Sequence, residues 1–556
     1  MQRLELTWIG KGEEPAVEPR ILLHDLSKDY GDPNTENMLI HGDNLLALKA
    51  LEQQYAGQVK CIYIDPPYNT GEAFEYYDDN LEHSIWLGLM KARLEILYNL
   101  LADDGFFCCQ IDDSEGHYLK VMLDEIFGRN GYYQSTIYVR VRYPEKTLKQ
   151  DMSFHKEIEQ VHIYRKTAAA KPKLDRVEVG YEKFKYKITT TASPDNILEL
   201  GGKKVEVFYK DNYEIIEEEG SEYGLKEIWA SGTILDGNSS GRFFRDYLTG
   251  RYEDDGYGVI YKVYGIGDDR FDYRFFTGPN REGATKGKYY QGVPLEKLQS
   301  GEMTREVPIS GFLDLAANFG NCRHEGGSEF RGGKKPETLI YTLLKHFSNP
   351  GDLVLDSFLG SGTTAAVAHK MGRRYIGIEL GEHCYTLCKP RLDRVIDGEQ
   401  TGISKEVNWQ GGGGYKFYEL APSIIEKDKY GNPIISSQYN SNMLITAVAK
   451  LNGYSYAPDP DVFWKQGFSQ DKSYIYVTTN YLDSKMLDSI AADLGGMESL
   501  LVCAPAFDIG LDKRYDNIQV KKIPQSVLDK CEYGVDNYNL NVVEIPIIDE
   551  EEWEDD

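Results

Sequence analysis

At 556 residues, with 41% hydrophobic, 27% charged and 12% aromatic side chains, the chain has the length of about three or four domains and the composition of a globular protein. A small disulfide-stapled scaffold, a fibrous repeat and a disordered chain are thereby excluded. The formal charge of −27, from 62 Lys+Arg against 89 Asp+Glu, argues against a protein that coats nucleic acid non-specifically. No apolar stretch approaches the ~20 residues of a membrane span, and no apolar run follows a basic start, so a soluble, unexported, cytoplasmic protein without a membrane partner is expected. Eight cysteines without paired spacing suit buried thiols in a reducing compartment. Cys384 and Cys388 beside His383 have helical spacing and no second ligand pair, so no metal site is expected.

Along the chain, Met38 to His41 reads as a short strand, Asn44 to Gln54 as a helix with apolar Leu45, Leu48 and Leu51, and Lys60 to Ile64 as a strand. That is a βαβ unit. Ser84 to Leu101 is predicted helical, with Ile85, Leu89, Ala92, Ile96 and Leu100 on one face, followed by a turn at Asp103-Asp104-Gly105 and a strand from Phe106 to Ile111. The rhythm returns with a strand over Asp352 to Ser357, a helix over Thr363 to Met371 and a strand over Tyr375 to Glu379. Such alternation predicts an α/β fold with a mostly parallel sheet and helices on both faces.

Between the two βαβ regions, residues 167–333 are rich in Tyr, Gly, Thr and charge, and read as an inserted α/β or mostly β module. The Gly411 to Gly414 run marks a loop, after which Ser473 to Thr478, Ser499 to Cys503 and Ile518 to Ile523 are predicted strands of a C-terminal α/β domain over 401–556. Its last residues, Asp549 to Asp556, form an acidic, solvated tail. By contrast, the stretch from Gly131 to Lys173 is locally basic and rich in Tyr.

Two motifs carry the chemistry. Asp65-Pro66-Pro67-Tyr68-Asn69-Thr70-Gly71 follows the apolar strand directly, and consecutive prolines cannot continue a central strand. The chain must leave the sheet there, exposing Asp65 and Tyr68 at the carboxyl edge where ligands bind in such folds. A carboxylate and a backbone carbonyl accepting the two N–H bonds of an exocyclic amino group would localise its lone pair, while an aromatic ring stacks on the base. The second motif, Asp356-Ser357-Phe358-Leu359-Gly360-Ser361-Gly362-Thr363-Thr364, runs from strand into helix, and its glycines allow close approach of backbone to a ligand. No Lys follows the second glycine, so it is not a Walker loop. Tyr375-Ile376-Gly377-Ile378-Glu379 ends the next strand on an acid suited to ribose hydroxyls.

Together and in this order, these segments resemble the β-class amino DNA methyltransferases, in which the catalytic half precedes the cofactor half. More narrowly, His41-Gly42-Asp43-Asn44, Arg93-Leu94, His155-Lys156-Glu157-Ile158 and Lys334-Lys335-Pro336-Glu337 resemble Mod subunits of Type III restriction-modification systems. The resemblance covers residues 38–166 and 334–396. It implies a Rossmann-like S-adenosylmethionine-dependent methyltransferase fold split into a catalytic half (1–166), an inserted target-recognition domain (167–333), a cofactor-binding half (334–400) and a C-terminal domain (401–556) for dimerisation or partner docking.

On that resemblance, Asp65 and the carbonyl of Pro66 would accept from the N6 amino group of adenine, with Pro67 stiffening the turn and Tyr68 stacking on the extruded base. Phe358, Gly360, Gly362 and Thr363 would line the S-adenosylmethionine pocket, with Asp356 near its amino-acid end and Glu379 on the ribose. Lys335 and Pro336 would begin the helix closing the methionine end, and Asp43 would meet the cofactor adenine. Aspartate at position 65 favours adenine over cytosine by family habit. A sulfonium methyl is already activated, so the chemistry calls for alignment and desolvation and for no metal. Double-stranded DNA is the implied substrate, with phosphate contacts from Arg140, Arg142, Lys146 and Lys149 and further contacts from the insert, including Arg242, Arg245, Arg270, Arg274 and Lys288. A homodimer and a helicase-nuclease restriction subunit are the implied partners. A stand-alone DNA methyltransferase, a DNA-binding scaffold with little catalysis, and a methyltransferase for protein amides stay open as alternatives.

Overall fold

The computed structural model describes residues 5–12, 17–18, 20–69, 82–128, 131–145, 154–230, 239–284, 286–300, 304–327, 333–427, 429–430, 432–469 and 472–523. Contacts divide the chain into two compact units, Leu174–Ile309 and the remainder.

The larger unit is built on a sheet whose path runs Leu22–His24, Gly414–Leu420, Met38–His41, Arg374–Glu379, Leu353–Asp356, Val59–Ile64, Leu101–Ile111, Ile158–Arg165, Tyr133–Arg140 and Phe312–Asp314. The six strands from Gly414–Leu420 to Leu101–Ile111 are mutually parallel. This is the expected Rossmann-like arrangement. From Val59–Ile64 the chain crosses to Leu101–Ile111 on one side, and from Leu353–Asp356 it crosses to Arg374–Glu379 on the other. The two departure strands lie side by side, Val354 opposite Cys61 and Leu355 opposite Ile62. That junction is a topological switch point, where the connections diverge and leave a crevice at the carboxyl ends.

Strand alternation explains the two helical layers. Ile62, Ile64, Phe107, Leu355 and Ile376 share one core with the helices Asn44–Tyr55 and His83–Leu100. On the opposite parity, the Phe106 ring lies 4.7 Å from Phe347 of the helix Glu337–Phe347. Asp43 caps the first helix, its side chain accepting from the Leu46 amide at 3.0 Å.

Four expectations shift. The helix His83–Leu100 buries Ile96 and Leu100 of the expected face, but its N-terminal half turns Trp86, Met90 and Arg93 inward and leaves Ile85 49% exposed. Two polar ties hold that inner face: Arg93 Nε donates to Asn44 Oδ1 and Trp86 Nε1 to the Pro67 carbonyl. Leu101–Ile111 is one strand through the expected turn, but its pairing jumps from Val59–Leu101 to Cys61–Phe106, so residues 102–105 bulge outward. Gly414–Leu420, placed by sequence in the C-terminal domain, instead joins the central sheet beside Met38–His41. Phe312–Asp314, placed in the insert, pairs in parallel with Tyr133–Arg140.

The unit Leu174–Ile309 is mostly β. Its main sheet runs Asn196–Leu200, Lys203–Phe208, Ile260–Tyr264, Tyr273–Thr277, Gly287–Gln291 and Lys226–Ala230, all antiparallel. The C-terminal segment carries a five-stranded sheet that includes the three predicted strands, now Ser473–Val477, Ser499–Ala504 and Ile518–Lys522, in parallel. Its Ile475, Val477 and Leu501 share a core with Ile21 and Ala421, so it packs against the ends of Leu22–His24 and Gly414–Leu420 in the central sheet. Among the described residues, no helix is long and apolar enough to cross a membrane.

Leu355, fully buried at the switch point, sets the local packing. Leu355→Ala is expected to cost about 2–5 kcal/mol of stability, read as a lower urea midpoint with an unchanged slope. A midpoint equal to the parent's would show that the junction is not part of the cooperative core.

Candidate active site

The prolines act as the sequence requires. Val59–Ile64 ends at Ile64, and the turn Asp65-Pro66-Pro67-Tyr68 leaves the sheet, pinned from behind by the Trp86 indole on the Pro67 carbonyl at 2.9 Å. Asn69 follows in the left-handed region at φ 58°, its amide donating to Glu115 at 2.7 Å. The rest of the motif, Thr70 and Gly71, lies outside the described residues.

On the neighbouring strand, Asp356 ends Leu353–Asp356 and turns into the glycine loop. Its Oδ1 accepts from the Phe358 amide at 2.9 Å and its Oδ2 from the Thr364 hydroxyl at 2.6 Å. Gly360 and Gly362 have φ of 56° and 80°, a conformation that L side chains rarely adopt, and a Cβ at Gly360 would meet nothing closer than 4.0 Å. Backbone is thus presented openly to the crevice. Glu379 fastens this loop: its Oε2 accepts from the Gly360 amide at 2.7 Å, and its Oε1 from the amides of Leu380 and Gly381 at 2.8 and 3.1 Å. Phe358 is buried beside it. Below, the Cys388 thiol donates to the Gly360 carbonyl at 2.9 Å and His383 pairs with Glu379 at 3.0 Å. Cys388 and His383 thus pack the loop, and no group of three or more His, Cys, Asp or Glu among the described residues could hold a metal.

Lys335 joins the two motifs. Its carbonyl accepts from the Thr363 hydroxyl at 3.2 Å, while its Nζ lies 3.0 Å from Asp65 Oδ2, 3.6 Å from Glu159 Oε2 and 4.9 Å from the Tyr68 ring centroid. The Tyr68 hydroxyl is within 2.7 Å of Asp65 Oδ1 and 2.8 Å of Glu159 Oε2. Burial pushes the Asp65 carboxyl above the usual carboxylate range, opposed by Lys335. Burial alone would lower the Lys335 ammonium, but Asp65 and Glu159 hold it above its ordinary value. Pro336 caps the helix Glu337–Phe347, anchored by the buried Glu337 carboxylate on Lys370 and Arg391 at 2.8 and 2.9 Å.

Other sequence-derived residues fall differently. Asp43 is a helix cap whose other oxygen pairs with Arg93 at 3.4 Å. The Thr363 hydroxyl also accepts from Arg391 at 2.7 Å, which makes it part of the loop's framework. Arg140 is held by Glu157 and Asp314 at 3.3 and 3.2 Å, whereas half-buried Arg142 donates to the Lys156 carbonyl. Lys146 and Lys149 lie outside the described residues. In the separate unit, Arg242 is exposed and Arg245 pairs with its neighbour Asp246 at 2.7 Å. Arg270 and Lys288 pair with Glu222 and Glu227, and Arg274 is buried against Asp269, which removes it from the base-contacting candidates. Sequence reading missed Glu159, Gln110 and Tyr63. Gln110 and Tyr63 are polar side chains within apolar runs, whereas Glu159 lies in a strand rich in polar residues and carries no such signal.

A family model for DNA methylases matches residues 59–390. The chain belongs to the DNA methylase family. It is 35% identical over 422 residues to the probable type III restriction-modification enzyme HindVI Mod subunit of Haemophilus influenzae, covering 70% of this chain and 54% of that one. To the type III StyLTI Mod subunit of Salmonella typhimurium it is 27% identical over 388 residues, covering 64% and 52%. To the type III EcoP15I Mod subunit of Escherichia coli it is 23% identical over 503 residues, covering 79% and 75%. The chain thus spans about half the length of the first two methylase relatives.

Burial pushes the Asp356 carboxyl up to about 7, against the bonds from Thr364 and Phe358 and with the charges of Asp65 and Glu379 adding to it. A carboxyl raised from 3.8 to about 7 on folding is charged at growing cost between those pH values, so its contribution to stability falls as pH rises through that window. Asp356→Asn should therefore gain stability over the parent from pH 4 to 7, by up to about 4 kcal/mol at pH 8. Parallel denaturation curves across this range would contradict that burial.

Proposed function

We propose that the chain transfers the methyl group of S-adenosylmethionine to the N6 amino group of an adenine swung out of duplex DNA, as the modification and recognition subunit of a Type III restriction-modification system. One observation carries this reading: Asp356 ends, and Asp65 directly follows, two adjacent parallel strands, so the base-binding turn and the glycine loop open at the same sheet edge. Mod subunits among the relatives supply the system, and Asp rather than Ser at position 65 favours adenine.

The residues fit the cofactor. The open backbone at Gly360 and the buried acid at Asp356 suit, respectively, a close-lying nucleoside and an amino-acid ammonium. When bound, S-adenosylmethionine supplies a methyl already activated by its sulfonium charge. Phe358, Gly360 and Gly362 shape the pocket, and Thr363, Lys335, Pro336 and Glu379 keep its walls in register. Asp43 acts at one remove, by capping the helix that follows Met38–His41.

At the acceptor, Asp65 and the Pro66 carbonyl accept the two amino N–H bonds, since the Pro67 carbonyl is engaged by Trp86. The nitrogen lone pair is then directed at the methyl, and the Tyr68 ring holds the base by stacking. Extrusion costs a few kcal/mol, recovered through this stacking and through contacts to phosphates by Arg142, Lys146, Lys149 and, after release from their carboxylates, Arg140 and Arg245. Target recognition falls to residues 174–309. A homodimer, a helicase-nuclease partner and a cytoplasmic location complete the reading.

Asp65→Ala and Tyr68→Ala should each lower methyl transfer from tritiated cofactor to unmethylated genomic DNA by about 10²- to 10³-fold, with cofactor affinity within a few-fold of the parent. Mapping of the product should place N6-methyladenine at one recurrent sequence. Unchanged rates in both variants, or methyl groups on cytosine N4, would refute the assignment.

A further inference from the structure

Two carboxylates at the Asp65 turn compete for one ammonium and one phenolic proton. Tyr68 has a single O–H to donate, yet its oxygen lies 2.7 Å from Asp65 and 2.8 Å from Glu159. Lys335 Nζ is bonded to Asp65 at 3.0 Å, stands 3.6 Å from Glu159 and sits over the Tyr68 ring. Its ammonium therefore polarises the carboxylate assigned to the target amino group, and lies against the ring assigned to the target base. For a base to enter, Lys335 must withdraw. Its side chain is only 9% exposed, so an ammonium released without an anion would be stranded at high cost.

Glu159 supplies that anion. It projects from Ile158–Arg165, the strand next to Leu101–Ile111. A chain of bonds from the core fixes it: the Tyr63 hydroxyl donates to Gln110 Oε1, which turns the Gln110 amide nitrogen onto Glu159 Oε2. Tyr63 and Gln110 are fully buried, so this chain is rigid. We propose that Glu159 is a positioning residue that takes Lys335 and the Tyr68 hydroxyl off Asp65 as the target base arrives, freeing Asp65 to accept its amino group. This rests on the reading of Asp65 as the acceptor of that group. A shift of about one ångström brings the 3.6 Å contact to hydrogen-bond length, and no backbone need move.

The test is single-turnover methyl transfer to unmethylated genomic DNA at saturating cofactor, with Glu159→Gln, Lys335→Met and the double variant. Glu159→Gln should slow transfer about ten- to a hundredfold, the effect of one lost charge-assisted hydrogen bond, with DNA and cofactor dissociation constants within about threefold of the parent. In the Lys335→Met background the same change should cost about threefold or less, because no ammonium remains to be moved. Glu159→Asp, which keeps the charge, should fall between, and thermal unfolding of every variant checks that it is folded. An unchanged rate for Glu159→Gln, an equal loss in both backgrounds, or a loss confined to binding would overturn the inference while leaving the methyltransferase reading intact. A parent protein that transfers no methyl would instead sink the reading beneath it.

Discussion

Everything in the methyltransferase unit depends on one pairing, the parallel contact of Leu353–Asp356 with Val59–Ile64. These strands are separated by nearly three hundred positions in the chain, and each would be an ordinary buried strand alone. Side by side and pointing the same way, they deliver two carboxylates and two loops to the same edge of the sheet. The crossovers then depart in opposite directions, which leaves a crevice at the carboxyl ends of the two strands. Lys335 closes the arrangement by bonding to the glycine-loop helix through its carbonyl and to the proline turn through its ammonium.

The same crevice holds an electrostatic conflict that stability alone would not select. Asp65, Asp356, Glu159 and Glu379 bring four acids, two buried and two half-buried, to one region, and burial raises the first two above their ordinary range. Backbone amides satisfy Glu379, a hydroxyl and an amide satisfy Asp356, and a single ammonium is shared at Asp65. An apolar filling would be more stable. On the proposed function, the acids suit a cleft that receives a cationic cofactor and the N–H bonds of a base.

Much of this was legible in the amino-acid sequence. The Pro66-Pro67 pair forces the chain out of the sheet whatever the context, and Gly360 and Gly362 mark backbone that a side chain would obstruct, so both motifs lie where their local chemistry predicts. The alternation of strand and helix around them gave the parallel sheet. What stayed hidden depends on partners distant in the chain. The burial of Arg93 depends on Asn44 and Asp43, which bond it on the inner face of its helix and leave Ile85 outside. Gly414–Leu420 reads as the start of a new domain until the open edge at Met38–His41 claims it. Glu159 has no local signature of importance, because its role comes from three other strands and loops converging on it. Individual basic residues were equally unreadable: Arg274 and Arg242 look alike in sequence, and one is buried on Asp269 while the other is exposed.

The central claim is that the proline turn and the glycine loop share one cleft. Hydrogen exchange with and without S-adenosylhomocysteine, followed by peptide, tests it most directly. Amides of the loop over 356–364 and of the turn over 65–69 should both slow on binding, while those of 174–309 keep their free rates. Protection of the loop with no change at the turn would place the two motifs in separate sites and contradict the account.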